Sequence, residues 1–141
     1  MPRLVPFKNM HLFQIETDFE FSDANRTQIV HHEECLTAFS LLDDNTVMAC
    51  GGVYRLWEGV GEVWMVLSKD ARKMPITVSR CTLAAFETIM ENNDLWRVQA
   101  SVHANDEKAY RFADWCGFEE EGLMKMFGPD KSDYYRFARV V

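Results

Sequence analysis

Hydrophobic and polar positions change period along this chain, and each change marks an element. Leu36 to Leu42 is an apolar-rich run, followed by Asp43-Asp44-Asn45 and a second run, Thr46 to Tyr54, that contains Gly51-Gly52. Two such runs around a short polar turn predict an antiparallel hairpin. Beyond a loop at Glu58, Gly59 and Gly61, the stretch Glu62 to Leu67 places apolar residues at both alternating sets of positions. A strand of that kind is covered on both faces, which puts it in the middle of a sheet. A polar loop is predicted over Ser68 to Met74. The period then lengthens, with Val78, Cys81, Ala85, Ile89 and Met90 on one side of a helix that Pro75 opens and Asn92-Asn93 closes.

Trp96, Val98, Ala100 and Val102 alternate with Arg97, Gln99 and Ser101, the period of a half-exposed strand. Asn105 is the predicted N-cap of a second helix, with Asp106 and Glu107 at its positive end, Ala109, Phe112, Ala113 and Cys116 as its apolar stripe, and Gly117 as a left-handed stop. Phe118 to Phe127 and Tyr134 to Val140 read as two last strands around a turn at Gly128, Pro129 and Asp130. Before residue 35, Leu12 to Ile15 reads as a strand, and Ser22, Asp23 and Asn25 are candidate caps of a short helix running toward His32. The expectation is one α/β domain over 1–141, with a variable part at 1–34 and the core fold at 35–141.

Composition narrows the function classes. A chain of 141 residues holds one well-buried core, and 48% hydrophobic with 26% charged residues is a globular rather than a disordered composition. A net charge of −7 repels nucleic acid and anionic lipid, so neither is expected as the main partner, whereas a cationic acceptor is attracted. No apolar run is long enough to cross a bilayer and Met1 to Pro6 lacks a secretory h-region, so a cytoplasmic location is expected. Cys35, Cys50, Cys81 and Cys116 stand far apart among apolar neighbours and read as small buried hydrophobes. His31 and His32 are adjacent and diverge on either a helix or a strand, so no metal is expected.

The order strand, strand, strand, helix, strand, helix, strand, strand, together with Asn105, Ala109, Phe112, Gly117, Phe118 and the run Glu119-Glu120-Glu121-Gly122, resembles the GNAT N-acetyltransferase superfamily over roughly the last three quarters of the chain. Gly51-Gly52 is similar to the family's third strand and Asp133 to Phe137 to its last. The resemblance implies a mixed, mostly antiparallel central sheet with helices on both faces and strands splayed around a cofactor cleft. It further implies direct transfer of acetyl from acetyl-CoA, as co-substrate, to a primary amine on a small molecule or peptide.

By the same resemblance, the backbone of Met65, Val66 and Leu67 holds the pantetheine arm and Asn105 touches it. The pyrophosphate loop, Arg/Gln-x-x-Gly-x-Gly/Ala in the family, aligns with Arg72, Lys73, Met74, Pro75, Ile76 and Thr77, so both glycines are replaced. Pro75 removes one amide donor and Thr77 adds bulk where backbone approaches phosphate. Lys69, Arg72 and Lys73 add positive charge with Asp70 opposing. The segment therefore reads either as a charge-compensated anion site or as a solvated charged loop.

Glu62 resembles the family's glutamate base, and a strand-end residue in water is the plainer reading. The usual tyrosine acid is replaced by Ala113, leaving Tyr110 as a substitute nearly one turn earlier. His103, with its near-neutral intrinsic pKa, is a second candidate base. A weaker likeness, over Glu34-Cys35-Leu36-Thr37 to Gly51-Gly52, is to GNAT-fold internal virion proteins of tailed phages. That likeness implies a non-catalytic binding or assembly protein, in a virion or a host cytoplasm. Tyr54 and Trp57 at the hairpin end are candidates for a pocket wall or a homodimer contact.

Overall fold

The structure is a computed structural model that describes residues 2–15 and 36–141. Its elements are β1 (Pro2–Pro6), α1 (Asn9–Gln14), β2 (Leu36–Asp43), β3 (Thr46–Trp57), β4 (Val60–Leu67), a 3₁₀ helix (Lys69–Lys73), α2 (Pro75–Asn92), β5 (Arg97–His103), α3 (Glu107–Trp115), β6 (Glu119–Met124) and β7 (Tyr134–Val140). The strands form one seven-stranded sheet in the order β1-β2-β3-β4-β5-β7-β6. Every neighbouring pair is antiparallel except β4 with β5.

That parallel pair shapes the molecule. Its register covers only Val60↔Arg97, Gly61↔Val98 and Glu62↔Gln99. After Glu62, β4 stays with β3 as far as Leu67, and β5 stays with β7 as far as His103. The strands therefore fork. The joined end is pinned by Gly59, whose carbonyl accepts the backbone N–H of Trp96 at 2.9 Å and of Arg97 at 3.1 Å. Gly59 has φ +82°, and the Trp96 ring lies where its Cβ would stand, so only glycine fits.

One face of the sheet carries α2 and α3. From α2, Val78, Ala85, Phe86, Ile89 and Met90 are buried, while Cys81 is half-buried at the margin of the stripe. They meet Val53, Val98, Val102, Cys116, Phe118 and Phe137 in the main core. A second core lies on the same face, where Leu41, Met48 and Ala49 pack on Ala71 and Val78. Phe112 of α3 packs against both cores, so its ring bridges the two halves that the fork separates.

The opposite face is covered by α1, which corrects the strand expected at Leu12 to Ile15. Leu12 and Ile15, three apart, are 0% and 3% exposed and lie together on Val47, Cys50 and Val66. With only four residues in the run, packing rather than local period decides between helix and strand. The helix expected toward His32, together with Cys35, lies outside the described residues. The loop expected over Ser68 to Met74 is a 3₁₀ helix, because Ser68 caps it by accepting the Ala71 N–H at 3.1 Å and Ala71 is drawn into the second core. Asn105 is not the cap of α3. The adjacent Asp106 is, its carboxylate accepting the Ala109 N–H at 3.0 Å, while the Asn105 N–H donates to His103 Nδ1. β6 ends at Met124, short of Phe127, where Met126 takes φ +56° and its N–H donates to the Asp133 carboxylate. Among the described residues no helix is long and apolar enough to cross a membrane.

Two predictions follow from the packing. Phe137 is 1% exposed, with its ring 4.9 Å from that of Tyr110; Phe137→Ala is expected to lower the unfolding free energy by about 3–5 kcal/mol, read by denaturant titration. His11 ties α1 to the sheet. Its Nδ1 accepts the Lys8 backbone N–H at 3.1 Å and lies 2.8 Å from Ser40 Oγ. Burial, with the Lys8 charge adding to it, holds the imidazole below its ordinary pKa of 6.5. The unfolded chain takes up a proton there that the folded chain resists, so this contribution is present above pH 6.5 and is lost as pH falls below it. Unfolding measured between pH 7 and 5 should show the wild type losing stability faster than His11→Gln, whereas parallel curves would remove His11 from the account.

Candidate functional site

The two faces of the sheet differ chemically beside the fork. On the α2/α3 side lies a cavity of about 200 Å³ walled by Leu67, Ala71, Pro75, Val78 and Phe112, with Ser68, Ser79, Asp106 and Lys108 as its polar members. Among the described residues the edge of β4 facing β5 has no strand partner after Glu62, which suits an extended, amide-bearing chain. Pantetheine is such a chain, and an apolar wall beside a free strand edge fits it.

The end of the cavity where phosphate would lie is less well furnished. Pro75 has no N–H, and the Val78 N–H is taken by the Met74 carbonyl at 3.0 Å. The first-turn donors of α2 are therefore the amides of Ile76 and Thr77. The Met74 N–H is also used, by the Ala71 carbonyl at 3.1 Å. Lys73 is exposed and paired with Asp70 at 3.2 Å, so the cluster carries less free positive charge than its composition suggests.

On the other side of the fork stands a mixed-charge patch. Glu62, the last residue paired with β5, accepts from Arg136 Nη1 of β7 at 3.0 and 3.2 Å, and Ser101 Oγ is 3.5 Å from its Oε1. Both ionic side chains are largely buried, with exposures of 15% for Glu62 and 21% for Arg136. Arg97 lies on the same face and forms a two-pronged pair with Glu121, donating also to Gln99 at 3.1 Å. The hydrogen bond from Arg97 holds the Glu121 carboxyl below its usual pKa, and the same bond raises the guanidinium. Tyr54, beside this patch, has its phenol pKa raised by burial and then by the Glu62 charge, with Arg136 opposing.

The remaining expected residues are distributed around these two sides. Leu67 lines the cavity, Met65 packs toward the main core, and Val66 is buried beneath α1 on the opposite face. Met74 caps α2, Ile76 is 64% exposed and Thr77 is half-buried. Arg72 lies within the 3₁₀ helix, and Asn105 is exposed just before the true cap. Tyr110 donates to Glu120 Oε1 at 2.9 Å, and that hydrogen bond is the chief reason its phenol pKa is raised, so the group is a neutral phenol. His103 ends β5 with its ring edge-on to Tyr134 at 5.1 Å. Among the described residues no hydrogen bond joins any two of Glu62, His103 and Tyr110.

Sequence reasoning missed Arg136 and Ser101. Arg136 is 74 positions from Glu62, and no local pattern marks it. Only the parity of Ser101, shared with Arg97 and Gln99 on β5, placed it on the exposed face.

No family model matches this sequence, and no curated protein matches it. Solved structures do. Ard1 from Thermoplasma volcanium superposes with a TM-score of 0.81 at 14% identity, covering 99% of this chain and 97% of that one. The ribosomal-protein-S18-alanine N-acetyltransferase from Escherichia coli gives 0.78 at 15% identity, over 100% and 94% of the two chains. The ribosomal-protein-S5-alanine acetyltransferase from Vibrio fischeri gives 0.76 at 16% identity, over 99% and 92%. With its forked sheet and these neighbours, the chain has the fold of the GNAT N-acetyltransferases.

Proposed function

We propose that this protein is an N-acetyltransferase that moves acetyl from acetyl-CoA directly to a primary amine. The observation that carries the reading is the parting of β4 from β5 immediately after Glu62. Support for it comes from a largely buried carboxylate at the point where β4 loses its second neighbour, with an apolar cavity at the far end of the same strand and a polar patch around the carboxylate itself. In this reading Glu62 takes a proton from the acceptor ammonium. The freed nitrogen lone pair attacks the thioester carbonyl and the C–N bond forms; the nitrogen then gives up its second proton to solvent, and the C–S bond breaks with its electron pair leaving on sulfur. Tyr110, kept protonated by Glu120, is the proposed proton source for the thiolate. His103 is the alternative base. The amides of Ile76 and Thr77, with Lys73 and Lys69, are the proposed pyrophosphate contacts.

A second reading, a GNAT-fold protein without the chemistry, is favoured by one feature: Pro75 and the Met74–Ala71 hydrogen bond remove amides where the anion would bind. Calorimetric titration of acetyl-CoA separates the two. The transferase reading expects saturable binding, and no heat at millimolar cofactor would discard it. Within that reading, Glu62→Gln is expected to lower kcat by about 10²–10⁴-fold, measured by thiol release. A value within two-fold of wild type would move the base elsewhere, with His103 the next to test.

The loop makes a separate prediction. Lys73→Glu should weaken acetyl-CoA binding by about ten-fold, whereas Pro75→Gly, which restores an amide donor, should leave it unchanged or tighter. The opposite pattern would show that the phosphates bind away from the start of α2.

A further inference from the structure

Arg136 uses only part of its hydrogen-bonding capacity. It reaches both oxygens of Glu62 through Nη1 alone, at 3.0 and 3.2 Å. A guanidinium is a planar fork of five N–H groups, and the edge formed by Nε and Nη2 has no protein partner among the described residues. Arg97, on the same face, is different. Its Nε donates to Gln99, and its Nη1 and Nη2 donate to the two oxygens of Glu121, so each of its three nitrogens has a protein partner. Among the described residues, Arg136 by contrast keeps open the edge that matches a carboxylate in two-pronged fashion.

The surroundings favour a ligand that carries both charges. Glu62, Arg136, Arg97 and Glu121 carry two charges of each sign, so the patch has no net charge to draw in a polycation. Each carboxylate is already matched by a guanidinium. A cationic acceptor alone would bring a positive charge beside Arg136 with nothing to offset it. The side chains of Glu62 and Arg136 are mostly withdrawn from water, which strengthens charge pairing there relative to an open surface. Phe127 adds an apolar wall, its ring centroid 6.0 Å from the Arg136 Cζ and 5.4 Å from the Tyr134 ring.

Building on the transferase reading, we propose that the acceptor is an α-amino acid, its ammonium group on Glu62 and its carboxylate on the Nε–Nη2 edge of Arg136. Ammonium and carboxylate groups held one carbon apart correspond to a carboxylate and a guanidinium already in contact. The placement leaves the acceptor nitrogen at Glu62, where the strands part. Arg136 then acts as a specificity-determining residue.

The test is binding, separate from turnover. The twenty protein L-amino acids are titrated singly into the protein by calorimetry, each against its own carboxamide, with spermidine as the polycation. The expected result is that at least one amino acid binds about ten-fold or more tightly than its carboxamide, and that spermidine binds weakly. In Arg136→Gln, checked for folding by its thermal midpoint, acid and amide should bind alike. The wild-type comparison stands whether or not that variant folds. A carboxamide or spermidine binding as tightly as every amino acid, or no saturable amino-acid binding at millimolar concentration, overturns the proposal. Acetyl-CoA is titrated separately. Its binding without amino-acid binding sinks this inference and spares the transferase reading; amino-acid binding without acetyl-CoA binding upholds the ligand class and sinks that reading.

Discussion

Parallel pairing between β4 and β5 lasts for three residue pairs, and most of what is distinctive in this protein is arranged around the point where it stops. A strand in the middle of a sheet ordinarily satisfies its backbone groups on both edges. Here β4 gives up one edge beyond Glu62 because its far end is held by β3 and the 3₁₀ helix, while β5 is held by β7 over its whole length. The price of the opening is a row of backbone groups with no partner in the sheet, and such groups invite an extended ligand.

The packing keeps the fork from closing. Gly59 and Trp96 clamp the joined end, Phe112 fills the space behind the divergence, and Ala71 anchors the 3₁₀ helix against Met48 and Ala49. Each restraint comes from within the chain, as backbone hydrogen bonds at Gly59 and as apolar contacts at Phe112 and Ala71. That is a form of preorganisation, since the cost of separating the strands is met during folding rather than on binding. The two faces beside the fork are unlike each other, one largely apolar and the other a balanced set of charges.

The starting residues of α2 serve the helix better than they would serve an anion. Pro75 is a good first-turn residue for the helix and a poor one for holding an anion, because the same missing N–H that suits a helix start removes a donor. Thr77 and the Met74–Ala71 hydrogen bond point the same way.

From Leu36 onward the strands and the two α-helices were legible because each rests on a local rule: alternation for the strands, a three-and-four spacing for α2, a left-handed glycine at Gly117 with φ +85°. The candidate base Glu62 was legible by resemblance, and the strand that carries it by its doubly apolar pattern. Where local signals were evenly matched, neighbours decided. Leu12 to Ile15 became helical because both residues could then face Val66, and Asp106 rather than Asn105 became the cap because its carboxylate reaches the Ala109 N–H. By itself the sequence determined the order of the strands and the two longer helices from Leu36 onward, the buried stripes and the acidic balance, all properties of residues near one another in the chain. Only the tertiary structure decided that Arg136 meets Glu62 across 74 positions and that one edge of its guanidinium has no hydrogen-bond partner among the described residues. Pairings of that kind depend on which strands become neighbours, and short-range periodicity carries no record of it.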